Sequence, residues 1–418
     1  MKCAALAAVV WLAACADSPL VEPGDDYAVE LAELDESVES LAGMAQAAPG
    51  DWMVRERLAA ALVSRAQLTG DYEDFAQAQA ALDEAFATAA PGSGPWLGQA
   101  RLDYTLHRLD QAAGALEQLA ARSRFVPAVA RAVDDLRADL WFDDGEYARV
   151  AMHDLEIADA REPGALFRRA RYAWATGDFD RADELFAAAA AAYHGPKGSY
   201  RAKLALQRGQ LDLDRGRYRD ALDHFRAADA AFSGWWLVHE HIGEALDLLG
   251  RADEAIAVYE GVVRDTGLPE FMDALSGLLE HREPARSAQL YAEAESLYAD
   301  RLERFPEAAT GHALDHFLGE PAHAQTSIEL AENGFAVRRG VPSRIALAQA
   351  YLLADRADDA RSVLWPALST PWRSAELFAT AARVAEATGA AEAADLAARA
   401  IAIRSDVFAH LPGTLADE

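Results

Sequence analysis

The chain has 418 residues, 52% of them hydrophobic and 26% charged, and its 39 Lys and Arg face 68 Asp and Glu for a net charge of −29. A single core stops growing at roughly 250–300 residues, so a chain of this length divides into domains or extends as a repeat array, and its apolar content excludes intrinsic disorder. The acidity speaks against a nucleic-acid partner, whose phosphates need a basic surface.

Met1-Lys2 precedes an apolar run, Cys3 to Leu12, too short for the ~20 residues that span a bilayer, and the segment reads as a signal peptide. The run closes on Leu12-Ala13-Ala14-Cys15. These residues resemble the lipobox of bacterial lipoproteins, whose cysteine is lipidated and becomes the mature N-terminus. The resemblance implies a lipoprotein signal peptide over 1–14, lipidation at Cys15 and attachment to the bacterial cell envelope. With Ala16 rather than aspartate after the cysteine, it points to the outer membrane, facing the periplasm. Ordinary secretory cleavage after Ala14-Cys15-Ala16 is the alternative. Residues 15–26 are polar and turn-rich and read as a tether. Cys3 and Cys15 are the only cysteines, so the body carries no thiol and no disulfide.

From Tyr27 to about residue 406 apolar residues recur at i, i+3 and i+4, which predicts helix after helix and no strand. Val29 to Ala47, rich in Glu and Asp, caps the start. Turn signals then recur. Gly70, Gly145, Gly177, Gly216, Gly250 and Gly389 lie 75, 32, 39, 34 and 139 residues apart, with glycine-free turns near Arg108, Glu283-Pro284, Glu320-Pro321 and Asp355-Arg356. Ten helix-turn-helix units account for the segment. After each of six turns comes a small-large-small series on one helical face: Ala78/Leu82/Ala85, Ala112/Leu116/Leu119, Ala182/Phe186/Ala189, Ala221/Phe225/Ala228, Ala255/Tyr259/Val262 and Ala360/Leu364/Ala367. Gly209 and Gly243 stand seven positions before their turn glycines, where a first helix meets its partner closely. Three places break the pattern. Val150 and Asp154 replace the expected small and aromatic residues, Pro366 interrupts a second helix, and Ala285 to Phe305 forms one long helix closed by Pro306.

The period near 34 and the Ala-x3-aromatic-x2-Ala series, best seen from His241 through Gly250 to Tyr259, resemble tetratricopeptide repeats (TPR). The resemblance implies an all-α, right-handed solenoid of about ten TPR-like units over 27–406, whose concave face is lined by the first helix of each unit. Residues 407–418 form a C-terminal tail. Each unit buries its apolar face only against its neighbours, so the array is expected to be quasi-one-dimensional.

No phosphate-cradling glycine motif, nucleophile elbow or H-E-x-x-H occurs, so no enzyme activity and no cofactor is expected. His312 and His316, four apart on one helical face with His323 beyond, form a weak metal candidate, with Asp315 or Glu320 nearby. The concave positions carry Phe167, Arg171, Trp174, Gln210, Glu240, Glu244, Asp247 and Gln349, a candidate peptide-binding groove in which Trp174 beside Arg171 is an anchor. Lysine occurs only at 2, 197 and 203, and the acidity keeps an array of exposed helices soluble. The reading is a membrane-anchored, non-catalytic scaffold for an unspecified protein or peptide partner, with a metal-dependent enzyme at His312/His316 as the competing class.

Overall fold

A computed structural model describes residues 26–122, 127–157, 160–319 and 321–411. The signal peptide, Cys15 and nearly all of the tether lie outside the described residues. Among these there are twenty-one α-helices and no strand. Helix α1 (Asp26–Ala47) precedes ten helix-turn-helix pairs. They are α2 (Trp52–Thr69) with α3 (Tyr72–Thr88), α4 (Trp96–Thr105) with α5 (Leu109–Arg122), α6 (Pro127–Asp143) with α7 (Tyr147–Glu156), α8 (Pro163–Ala175) with α9 (Phe179–Ala192) and α10 (Gly198–Asp214) with α11 (Tyr218–Ala231). There follow α12 (Trp236–Leu248) with α13 (Ala252–Thr266), α14 (Pro269–Leu279) with α15 (Pro284–Arg304), α16 (Pro306–Leu318) with α17 (Ala324–Val337), α18 (Val341–Leu353) with α19 (Ala357–Leu368) and α20 (Ala375–Ala387) with α21 (Ala393–Ile403).

Six of the pairs turn where the sequence places its glycines, because there the residue after the first helix enters the left-handed region. Gly70, Gly145, Gly177, Gly216, Gly250 and Gly389 have φ between 66° and 82°. At two glycine-free turns His107 and Asp355 take the same conformation, at φ 61° and 58°. The small-large-small series fills the space between helices. Ala182, Phe186, Ala189, Ala221, Phe225 and Ala228 are all fully buried. A Cβ on Gly209 would lie 2.2 Å from the Phe225 ring and one on Gly243 2.9 Å from Tyr259, so each glycine is what admits its aromatic neighbour.

Two expectations are corrected. Pro366 does not break its helix. It sits in the last turn of α19, which runs on to Leu368, where only one backbone bond near the helix end is forfeited. Residues 407–411, read as tail, are folded: Val407–His410 forms a 3₁₀ turn, and Val407 and Leu411 are buried.

The described chain forms two compact units, one up to Trp141 and one from Phe142 onward. In the first, Arg65 ties three helices together, bonding Asp74 through two nitrogens at 2.6 and 2.7 Å and Asp35 at 2.8 Å.

In the second unit the first helices α10 and α12, and likewise α14, α16, α18 and α20, pack side by side as an inner layer. This unit departs from a one-dimensional array, because its C-terminal loops return to its own early turns. The Val341 N–H donates to the Tyr147 hydroxyl at 3.1 Å, and Arg339 pairs with Asp144 at 2.9 Å. The Arg373 N–H donates to the Ala175 carbonyl at 2.8 Å, and the Tyr218 hydroxyl donates to Asp406 at 2.6 Å. Trp372 packs against Phe142 and Tyr147, with ring centroids 5.9 and 5.6 Å apart. These partners are 188 to 195 residues apart along the chain for the hydrogen bonds of Tyr218, Val341 and Arg339. The unit is a coil closed on itself along a seam.

Candidate functional site

The groove positions read from the sequence stand on the first helices α8, α10, α12 and α18, and the structure gives each a definite surrounding. Phe167 is buried edge-on to Phe186 at 5.6 Å, so it is core. Arg171 lies over the Phe142 ring at 4.5 Å and reaches Asp143 at 3.3 Å. Trp174 is half-buried, edge-on to Phe186, and its indole N–H donates to Asp214 at 2.8 Å. Trp174 and Arg171 thus both stand on α8 but hold different partners. Gln349 is buried and donates to Glu376 and Thr380, each at 3.2 Å. Asp247 remains half-buried on α12.

Glu240 and Glu244 do converge, on a residue the groove reading left out. His241 Nδ1 lies 2.9 Å from Glu240 and 3.3 Å from Glu244, and the ring stacks on Phe225. Burial alone lowers the basicity of an imidazole, but the two carboxylates outweigh it and hold His241 protonated up to about 10. The Gln210 side-chain nitrogen lies 3.1 Å from Nε2, and the Gln210 amide oxygen accepts from Gln207. Among the described residues, Glu240, His241 and Glu244 are the group whose ligand atoms come together, within 4.8 Å. The imidazolium itself supplies the cation there.

The sequence reading missed three carboxylates on first helices whose titration burial shifts. Asp214 on α10, Asp315 on α16 and Glu376 on α20 are half-buried. Burial pushes Asp214 up to about 6 against the pull of Arg404 and the Trp174 bond, and the charges of Glu376 and Glu244 add to the rise. Burial, then the charges of Glu376 and Asp273, hold Asp315 well above the ordinary carboxylate range. Glu376 is raised by burial against Gln349 and Arg404. One signal was available for Asp214: it lies four positions after Gln210, on the same helical face.

The histidine candidate resolves differently. The His316 side chain is fully buried, donates from Nδ1 to Asp273 at 2.8 Å and stacks on Tyr291 at 4.1 Å. It is a packing histidine. His312 is half-buried and His323 lies against Phe317 at 5.1 Å. Nothing in these surroundings favours a metal centre or a reachable catalytic base.

No family model matches the chain, and no curated protein matches it. Among solved structures, a tetratricopeptide repeat protein from Parabacteroides merdae is similar at 16% identity over 60% of this chain and 96% of that one, TM-score 0.36. The APC/C hetero-tetramer Cut9-Hcn1 is similar at 13% identity over 88% and 67%, TM-score 0.46. The Rap conjugation gene regulator of the plasmid pLS20, in complex with the Phr* peptide, is similar at 12% identity over 77% and 98%, TM-score 0.41. By their own helix pairs, left-handed turns and small-large-small packing, the described residues are all-α and built of tetratricopeptide-like helix-turn-helix repeats of the solenoid class.

Proposed function

We propose that this protein is a non-catalytic protein-interaction scaffold that takes an extended segment of a partner against the inner helices of its closed coil. The observation that carries the reading is the inner face itself. Trp174, Arg171, Glu244 and Asp247 stay half-buried there, on helices fixed by fully buried Ala and Phe side chains, so chemistry is displayed on a rigid frame. A lipid on Cys15 holds the scaffold at a bacterial membrane, the outer membrane in this reading, with the solenoid in the periplasm. The lipobox-like Leu12-Ala13-Ala14-Cys15 supports this.

Crosslinking in intact cells followed by identification of the captured proteins tests the scaffold. A specific partner is expected from the wild type, and its yield falls in Trp174→Ala and Asp247→Arg variants that retain the wild-type circular dichroism and melting temperature. Capture unchanged in both variants overturns the inner face as the docking surface. Metabolic labelling with a fatty-acid analogue tests the anchor: incorporation is expected in the wild type and lost in Cys15→Ser.

A further inference from the structure

Helix α12 sets Glu240 and Glu244 four positions apart on one face, with the His241 ring turned in between them. The Nδ1 atom of His241 stands 2.9 Å from Glu240 and 3.3 Å from Glu244, and one oxygen of each carboxylate lies with it inside 4.8 Å. The side chains of Glu240 and His241 are only 8% and 7% exposed, and that of Glu244 is 17% exposed. The ring lies nearly flat on Phe225, 18° from parallel with centroids 5.1 Å apart, and Phe225 is itself fully buried. Its direction is thereby fixed before any ligand arrives.

One hydrogen here serves two anions. Nδ1 carries a single hydrogen, which Glu240 and Glu244 share, and among the described residues Glu240 has no other hydrogen bond or ion pair. A carboxylate has about four acceptor sites, so this buried one is under-served. Like charges four apart on a helix also repel. Two carboxylates and one imidazolium leave the three groups with one negative charge, whereas a dication and a neutral imidazole leave them with none. The spacing suits such an ion. Zinc holds nitrogen and carboxylate oxygen at about 2.0–2.2 Å, so two ligands of one ion stand about 2.8–3.6 Å apart between right-angled and tetrahedral geometry. Both measured separations from Nδ1 fall in that range. The imidazole donor selects against calcium and magnesium, which take oxygen. Glu244, the least enclosed of the three, leaves a way in.

We propose that Glu240, His241 and Glu244 bind a divalent transition-metal ion of the zinc class, through Nδ1 and one oxygen of each carboxylate. The ion takes the position of the Nδ1 hydrogen, which leaves to solvent as a proton. Three protein donors leave a fourth position for water or for a donor from outside the chain. The site is separate from His312 and His316, and the scaffold reading does not depend on it.

The test is titration of zinc against a chelating dye, on the full chain in detergent with Cys3 and Cys15 changed to Ser so that no thiol competes. One zinc per chain is expected, and X-ray absorption of the loaded protein should show nitrogen and oxygen neighbours at about 2.0–2.2 Å with a single imidazole. Losing an outer partner of a metal ligand weakens binding roughly 10–100-fold, so losing a ligand outright should raise the zinc Kd at least about tenfold in Glu240→Gln and in Glu244→Gln. Both substitutions keep the side-chain shape, and melting curves check the fold. His312→Asn with His323→Asn should leave Kd unchanged. Zinc held equally by the wild type and both Gln variants is adventitious surface binding and overturns the proposal. So does the absence of stoichiometric zinc, and so does an absorption spectrum with no imidazole or with more than one. If a Gln variant fails to melt like the wild type, the wild-type spectrum decides.

Discussion

Gly209 shows how far a single hydrogen atom governs this packing. Its absent Cβ would sit 2.2 Å from a Phe225 ring that is itself fully buried, leaving nowhere for the ring to go. Gly209→Ala is expected to lower unfolding stability in urea by about 1–3 kcal/mol, the usual cost of overpacking. Gly261, in α13, meets only the end of Arg264 at 3.6 Å, and Gly261→Ala should raise stability by about 0.5–1 kcal/mol through helix propensity. Titration adds a second effect at this scale. Asp214 and Asp212 are both held near 6 in the folded protein against 3.8 ordinarily, so the native state binds protons more tightly and gains stability as pH falls from 6 toward 4. His241, raised from 6.5 to about 10, contributes fully below pH 6.5 and loses its contribution as pH climbs to 10. The melting temperature should therefore fall from mildly acid to alkaline pH. Asp214→Asn is expected to flatten the acid limb and His241→Gln the alkaline one, as read by thermal melts across the range.

The helices and their turns are where the sequence was most informative, because what defines them is local. A glycine at the end of a first helix, a small residue four before a large one, and a proline opening a helix all act within one or two turns of backbone. The ten pairs, the cap α1 and the long α15 were legible for that reason. Pro366 was misjudged because its cost depends on how much helix follows, and α19 ends two residues later, with the Ser369 N–H returning to the Pro366 carbonyl at 3.2 Å. Turns without glycine were harder to read, since His107 and Asp355 adopt left-handed backbone that their side chains do not advertise. Helix starts are also locally specified. Ser374 caps α20 by accepting from the Leu377 N–H at 3.2 Å, and Ser374→Ala should cost about 1 kcal/mol in chemical denaturation.

Closure of the coil in the unit from Phe142 onward is the feature that sequence periodicity does not encode. Each repeat contributes a small rotation, and whether the sum returns the chain to its start depends on all of them together. The interior site shares this limit. Trp174, Gln210, Glu240, Glu244 and Gln349 stand on first helices, but the partners of Trp174, Gln210 and Gln349 lie on other elements that only the fold brings to them, as Asp214 comes to Trp174 and Glu376 to Gln349. A test follows at this scale. Removing residues 404–411 deletes Asp406 and the buried Val407 and Leu411, and amide exchange should accelerate at Gly216 to Tyr218, remote in sequence but adjacent across the seam. In a one-dimensional array the same truncation would loosen only α20 and α21.

The seam also fixes something that open solenoids leave free. In an open array a unit is gained or lost with little consequence beyond its neighbours, and families of such proteins drift in length. Here the turn at Gly145 meets Gly340, the turn at Gly177 meets Arg373 and the turn at Gly216 meets Arg404, in register. Duplicating or deleting one unit between Gly177 and Gly340 would set every one of these meetings against the wrong partner. The coil counts its own repeats, and its tally is as much a part of the fold as any buried side chain.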